Sequence, residues 1–181
     1  MARNTFSRSL HDVGLAAWFG GTLANAVALN AAAGEADERD AGRVTNAGWN
    51  RWTPVNAVAI GAHLVGSVGQ LAGNASRVAA QPGVKTMSSV KTVVTVAALG
   101  ATAYSRALGK VIDAAGDPKV KGGTKSSKST PAAVTAAQGK LDLMQWVIPA
   151  LTGTLVVISS FAGEQQRASE VLPGVTGARR P

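Results

Sequence analysis

Four stretches of this chain carry no formal charge: residues 13–33, 52–73, 92–105 and 143–163. Three of them reach the roughly 20 residues that a helix needs to cross about 30 Å of hydrocarbon. The third stretch is shorter, and Lys91 and Arg106 at its ends lengthen it by snorkelling towards the headgroups. A segment surrounded by lipid must satisfy its backbone polar groups internally, and a helix does so. The expectation is an all-α, four-transmembrane-helix bundle forming one integral membrane domain over 1–181. Its spans fall near 13–33, 53–73, 88–110 and 143–163.

Charge distribution supports that reading. Only 15% of residues are charged, against about 25% in soluble domains, and they crowd between the four stretches. The rival is a soluble, Ala-rich helical bundle, favoured by a mean hydropathy of only +0.13. A soluble bundle needs a charged stripe on each helix, and these stretches have none. Within 50–74, Thr53 is placed as a helix N-cap and Pro54 in the first turn, where a missing N–H costs nothing. Trp49, Arg51 and Trp52 then stand at headgroup level as interface anchors.

The spans are rich in alanine and glycine and poor in large apolar residues. Helices in lipid associate through close backbone approach and interhelical hydrogen bonds. Small residues four apart permit such approach: Ala97, Ala101, Ser105 and Gly109 form one row, Gly69 and Gly73 a second, and Gly20, Ala24 and Ala28 a looser third. These rows point to packing within the chain, with self-association as the alternative.

Polar residues inside the spans recur every seven positions. Asn56, His63 and Gln70 do so on the second span, with Ser67 and Asn74 on the same face; Gln145, Thr152 and Ser159 do so on the fourth. His11, Trp18 and Asn25 repeat the spacing on the first, and Thr95 and Thr102 on the third. Two helical turns return nearly to the same face, and an unpaired amide or imidazole facing lipid is costly. These faces are therefore expected to turn inward as a polar seam comprising Asn25, Asn56, His63, Ser67, Gln70, Gln145 and Thr152.

His63 is the one ionisable group well inside a span, and it reads first as a neutral, hydrogen-bonded imidazole. A proton relay through it calls for a carboxylate, and no span has one. Haem held by His11 and His63 is disfavoured. With His11 at the start of its span and His63 in the middle of its own, a rise of 1.5 Å per residue sets them roughly 15 Å apart in depth. There is no cysteine, hence no thiolate chemistry, and no nucleotide-binding, hydrolase or metalloprotease motif occurs. No cofactor and no catalytic or metal-binding residue is expected. The acidic group Glu35, Asp37, Glu38 and Asp40 reads as a solvated loop. The net charge of +8 flanks the spans without interleaved aromatics, which fits anionic lipid headgroups rather than nucleic acid.

Residues 114–139, with GDPKVKGGTKSSKSTP, have almost nothing to bury and read as a mobile loop, with a short helix over 132–140 leading into the last span. The tail over 168–181 reads as irregular. The first 33 residues also fit the plan of a secretory signal peptide with cleavage after Ala33. The retained helix is preferred, because Trp18-Phe19-Gly20-Gly21 makes a poor apolar core for a signal. Alternating helices divide the Lys and Arg residues eight against ten between the two sides. The short second loop places both termini in the cytoplasm.

The segment HDVGLAAWFGG, with His11, Trp18, Gly20 and Gly21, resembles the first-helix pattern of copper-resistance-D-like membrane domains. In its Ala, Gly, Val and Arg usage the whole chain resembles uncharacterised small four-helix integral membrane proteins of high-GC actinobacteria. The first resemblance implies copper handling with His11 as the matching residue, although the sequence sets no methionine cluster and no second histidine near it. Two function classes follow. The leading one is a non-enzymatic accessory or scaffold subunit of a bacterial envelope complex, bound to other membrane proteins or to itself. The alternative is a small transporter, channel or metal-handling protein using the seam around His63.

Overall fold

The computed structural model describes residues 4–116 and 118–164. Among the described residues the chain is all-α apart from one small hairpin. In chain order the elements are α1 (Thr5–Ala33), α2 (Glu38–Gly73), α3 (Ala75–Ala80), α4 (Pro82–Ala114), β1 (Val120–Gly122), β2 (Lys125–Ser126) and α5 (Ala132–Glu164). The long helices alternate in direction. Asn4 and Ser7 at the start of α1 meet Gly73 and Gly69 at the end of α2, and Arg8 approaches Gly163 at the end of α5. Three helices, α1, α2 and α5, are long and apolar enough to cross a membrane. The expected fourth span, α4, has 33 residues but is not among them: Lys85, Lys91, Arg106 and Lys110 interrupt a stretch already thinned by threonine, serine and glycine.

All four long helices overrun the expected spans, and the reason is local. Nothing breaks α2 at Trp49–Trp52, so it starts at Glu38 with Asp37 as N-cap, and Glu38 and Asp40 lie in its first turn, where carboxylates favour the helix dipole. Part of the expected acidic loop is thus helix. Thr53 is not a cap but an interior residue whose hydroxyl donates to the Trp49 carbonyl at 2.8 Å, and Pro54 lies inside the helix. Likewise α5 runs unbroken from Ala132 through the buried Pro149, with no separate leading helix. Helix α4 begins with Pro82 after an extended Gln81 (φ −118°, ψ 108°), the conformation a following proline favours. It ends at Gly116, whose φ of 75° is one that glycine adopts without steric cost.

Helices α1 and α2 form the tightest pair. Gly14 sits against the backbone of Ala59 and His63, and Gly66 against the backbone of Ser7 and His11, so close that a Cβ at either would overlap it. Gly69 and Gly73 of the second row also face α1, against Ser7 and Asn4. The other rows do not pack as expected. Gly20, Ala24, Ala28 and Ala97 are exposed, a Cβ on Gly109 would meet only Arg106 of its own helix, and the buried residues of α4 are Ala98, Leu108 and Ile112. Helix α5 contacts both α1 and α4, while α2 and α4 barely touch.

The expected mobile loop over 114–139 holds the hairpin instead. Val120, 1% exposed, inserts among Ala41, Leu108, Ile112, Val134 and Ala137, and Gln138 donates to the Gly122 carbonyl at 3.1 Å. One apolar anchor and one buried amide hold a polar segment across the end of the bundle. The tail over 168–181 lies outside the described residues.

Replacing Gly66 with alanine should destabilise the protein by about 1–3 kcal/mol through overpacking of the α1–α2 contact. Gly61→Ala, where a Cβ meets nothing within 4 Å, should be neutral or stabilising by up to about 1 kcal/mol through helix propensity. Thermal unfolding of both variants in one detergent checks this, and equal effects would refute the packing assignment.

Candidate functional site

The α1–α2 contact brings His11 and His63 together. Their ring centroids are 4.6 Å apart at an interplanar angle of 44°, and Trp18 meets His63 edge-on at 6.0 Å. The expected depth difference of about 15 Å does not exist. It took His63 as mid-helix and His11 as a helix end at the membrane surface. In the antiparallel pair, the seventh residue of α1 lies against the last third of α2. His11, His63 and Trp18 are all at most 1% exposed.

His11 sits in the middle of a chain of polar groups. Its Nδ1 lies 2.7 Å from the Asp12 carboxylate, and its Nε2 lies 3.1 Å from the Lys91 Nζ. An ammonium only donates, so Nε2 accepts from Lys91 and Nδ1–H donates to Asp12. These partners assign a neutral imidazole protonated on Nδ1, bridging an anion on α1 and a cation on α4. Lys91 therefore turns inward rather than snorkelling, and Asp12, 64% exposed at its side chain, supplies the carboxylate that the sequence lacked within a span. His63 is less satisfied. Its Nδ1 is 3.5 Å from the His11 carbonyl, at the outer limit of a hydrogen bond, and its buried Nε2 has no partner.

The remaining seam residues divide between the two ends of the bundle. With His63 go Ser67, whose hydroxyl donates to the His63 carbonyl at 2.7 Å, and Gln70, half-buried with an unpartnered Nε2. At the hairpin end, Asn30 donates to Gln145 Oε1 at 2.9 Å and accepts from Trp49 Nε1 at 3.0 Å, tying α1 to α5 and α2. Thr152 is fully buried and donates to the Ile148 carbonyl at 2.8 Å. Asn25 leaves the buried face. It is half-buried at the start of a π-helical turn over Asn25–Leu29, and the buried positions on either side of it are Thr22, Ala26 and Ala33.

Trp49 and Trp52 are not at a helix start. They lie in the first half of α2 and turn towards the interior, Trp52 against Gly21, while Arg51 is exposed. Both tryptophans line a cavity of about 330 Å³ that separates α2 from α4. Ser105 and Gly109 of the α4 row line its opposite wall. Arg106, also expected to snorkel, lines it too, donating to Asn50 Oδ1 at 3.2 Å and standing 3.7 Å from Asp113. Asp12, Asn30 and Asp113 were not singled out by the sequence, and Lys91 only as the end of a span. Their signal was a charge or amide close to a span boundary.

The chain of donors predicts a spectroscopic signature. In ¹⁵N-histidine-labelled protein, His11 should show the Nδ1–H tautomer, and Lys91→Met should shift the Nε2 resonance. An Nε2–H tautomer in the unaltered protein would refute the assignment. Among the described residues no group of three or more His, Asp or Glu side chains is placed to hold a metal ion. Comparison with protein-family models, with curated proteins and with solved structures finds no match to this chain.

Proposed function

We propose that this chain is a non-enzymatic integral protein of the bacterial cell membrane, acting as an accessory or scaffold subunit of a larger envelope assembly. The observation that carries the reading is the sorting of side chains. Val58 is 74% exposed, Val13 69%, Val93 68% and Leu143 62%, so all four long helices turn large apolar groups outward, while His11, His63, Asn56 and Thr152 are buried. In water such a surface is a liability; in lipid, or against other membrane helices, it is the favourable arrangement. The alternation of helix directions supports both termini on one side, assigned to the cytoplasm by the basic residues Arg8, Arg77 and Lys85 at that end. The lysines and arginines at the two ends suit anionic headgroups.

The expressed chain should stay in the membrane pellet after an alkaline carbonate wash and co-purify with other membrane proteins at constant ratio in a mild detergent. Release into the supernatant overturns the membrane location, and a chain that always purifies alone overturns the scaffold role. A second reading, a small transporter or channel built on the seam, is favoured by the Asp12–His11–Lys91 chain beside His63. Under that reading, proton flux into liposomes falls when His63 is replaced by alanine. Unchanged flux in a folded variant removes it.

A further inference from the structure

Helix α4 is the loosely held member of the bundle. It packs along α5 and scarcely meets α1 or α2. Two of its side chains hydrogen-bond to that pair. Lys91 Nζ, in its first third, lies 3.1 Å from His11 Nε2, and Arg106, nearer the hairpin, donates to Asn50 Oδ1 at 3.2 Å. The hairpin end is held independently of pH. A guanidinium keeps its charge throughout, and Leu108 and Ile112 of α4 pack there against Val120. The other end has less to hold it: the first buried residue of α4 is Ala98, and Val90 and Val93 beside Lys91 are exposed.

The tie through His11 sets a condition on charge. An ammonium only donates, so His11 Nε2 must carry no hydrogen while Lys91 is charged. An imidazolium facing a neutral amine would keep the bond as well. In both arrangements the pair holds one cation. With a proton on each, two donors and two positive charges meet at 3.1 Å, where His11 is 1% exposed and burial strengthens the repulsion. The surrounding groups do not remove it. Asp12 already accepts from Nδ1 at 2.7 Å and offsets one charge. Arg8, a turn earlier on α1, Arg77 on α3 and Lys85 on α4 add positive charge at the same end. His63 of α2 brings a second imidazole, its ring centroid 4.6 Å away, and α5 carries no titratable side chain between Asp142 and Glu164.

We propose that His11 is a proton-operated latch on α4. Neutral, it accepts from Lys91 and holds the first third of α4 to α1. Protonated, it releases that end, which moves away from the α1–α2 pair while Arg106 and the Val120 anchor keep the hairpin end in place. The gap between α2 and α4 then widens from the Lys91 end. Asp12, 64% exposed at its side chain, joins the buried ring to the outside of the bundle and gives the proton its route. The latch operates whether the chain serves as a scaffold or as a transporter.

The chain has no cysteine, so nitroxide labels can be placed one pair at a time on the full chain in lipid nanodiscs and their separation read by pulsed electron paramagnetic resonance. Ser9→Cys with Ser89→Cys reports the Lys91 end, and Val44→Cys with Val111→Cys the hairpin end; all four positions are exposed. Between about pH 7.5 and about pH 5, where histidine titrates, the first distance should lengthen by about 5 Å, half a helix diameter. The second should stay fixed. His11→Gln supplies an amide that accepts from Lys91 and donates to Asp12 at every pH, and it should abolish the change. Lys91→Met removes one of the two cations and should abolish it too, which keeps the test valid if the first variant does not fold. His63→Gln should leave the change intact. A fixed distance in the otherwise unaltered chain, a change that persists in folded His11→Gln or Lys91→Met, or a change lost in folded His63→Gln would overturn the proposal. So would an equal change at the hairpin end, which would mark a general loosening by acid.

Discussion

The near-contact of two backbones, at Gly14 and Gly66, governs the arrangement of this protein. Apolar helices gain little from meeting each other in lipid, so the gain must come from dispersion and polar contacts at short range. Such contacts fade steeply with distance, and only glycine lets the α1 and α2 backbones close the gap. The antiparallel register that results puts His11 opposite Gly66 and His63 opposite Gly14, and so brings the two imidazoles into tilted contact. It also shuts water out, which is why His11 must find its partners in Asp12 and Lys91. Lys91 on α4 is then held by an acceptor on α1, and an apparently peripheral lysine becomes part of the interior. The polar chain is a consequence of the packing.

Some of this was legible from the residues. The seven-residue spacing of Asn56 and His63 marks the buried face of α2 because two turns return to one face, and both are buried. The same rule is weaker at Asn25, which is only half-buried while its neighbour Ala26 is buried; it opens a π-helical turn that has no glycine or proline to announce it. Helix limits were less readable than helix existence. Charge-free length reports what lipid tolerates, whereas a helix continues until something stops it, and Trp49–Trp52 contains no stop. The misplaced depth of His11 relative to His63 follows from confusing the two limits. The hairpin was hidden for another reason: its hold depends on Val120 and Gln138, and one valine in a lysine- and glycine-rich segment gives no periodic signal.

The cavity was illegible in kind, since it is a property of what the helices do not do. Close contact joins α1 to α2 and α5 to α4, and Asn30 ties the two pairs together through Trp49 and Gln145. The small residues that would let α2 and α4 meet exist, but Ser105 and Gly109 face open space. Neither helix is free to close the gap. Trp49 and Trp52 are committed to α1, through the bond to Asn30 and the contact with Gly21, and the Val120 anchor fixes the end of α4 against α5. The separation of α2 from α4 is thus set by contacts made elsewhere in the bundle, which no spacing of residues along either helix announces.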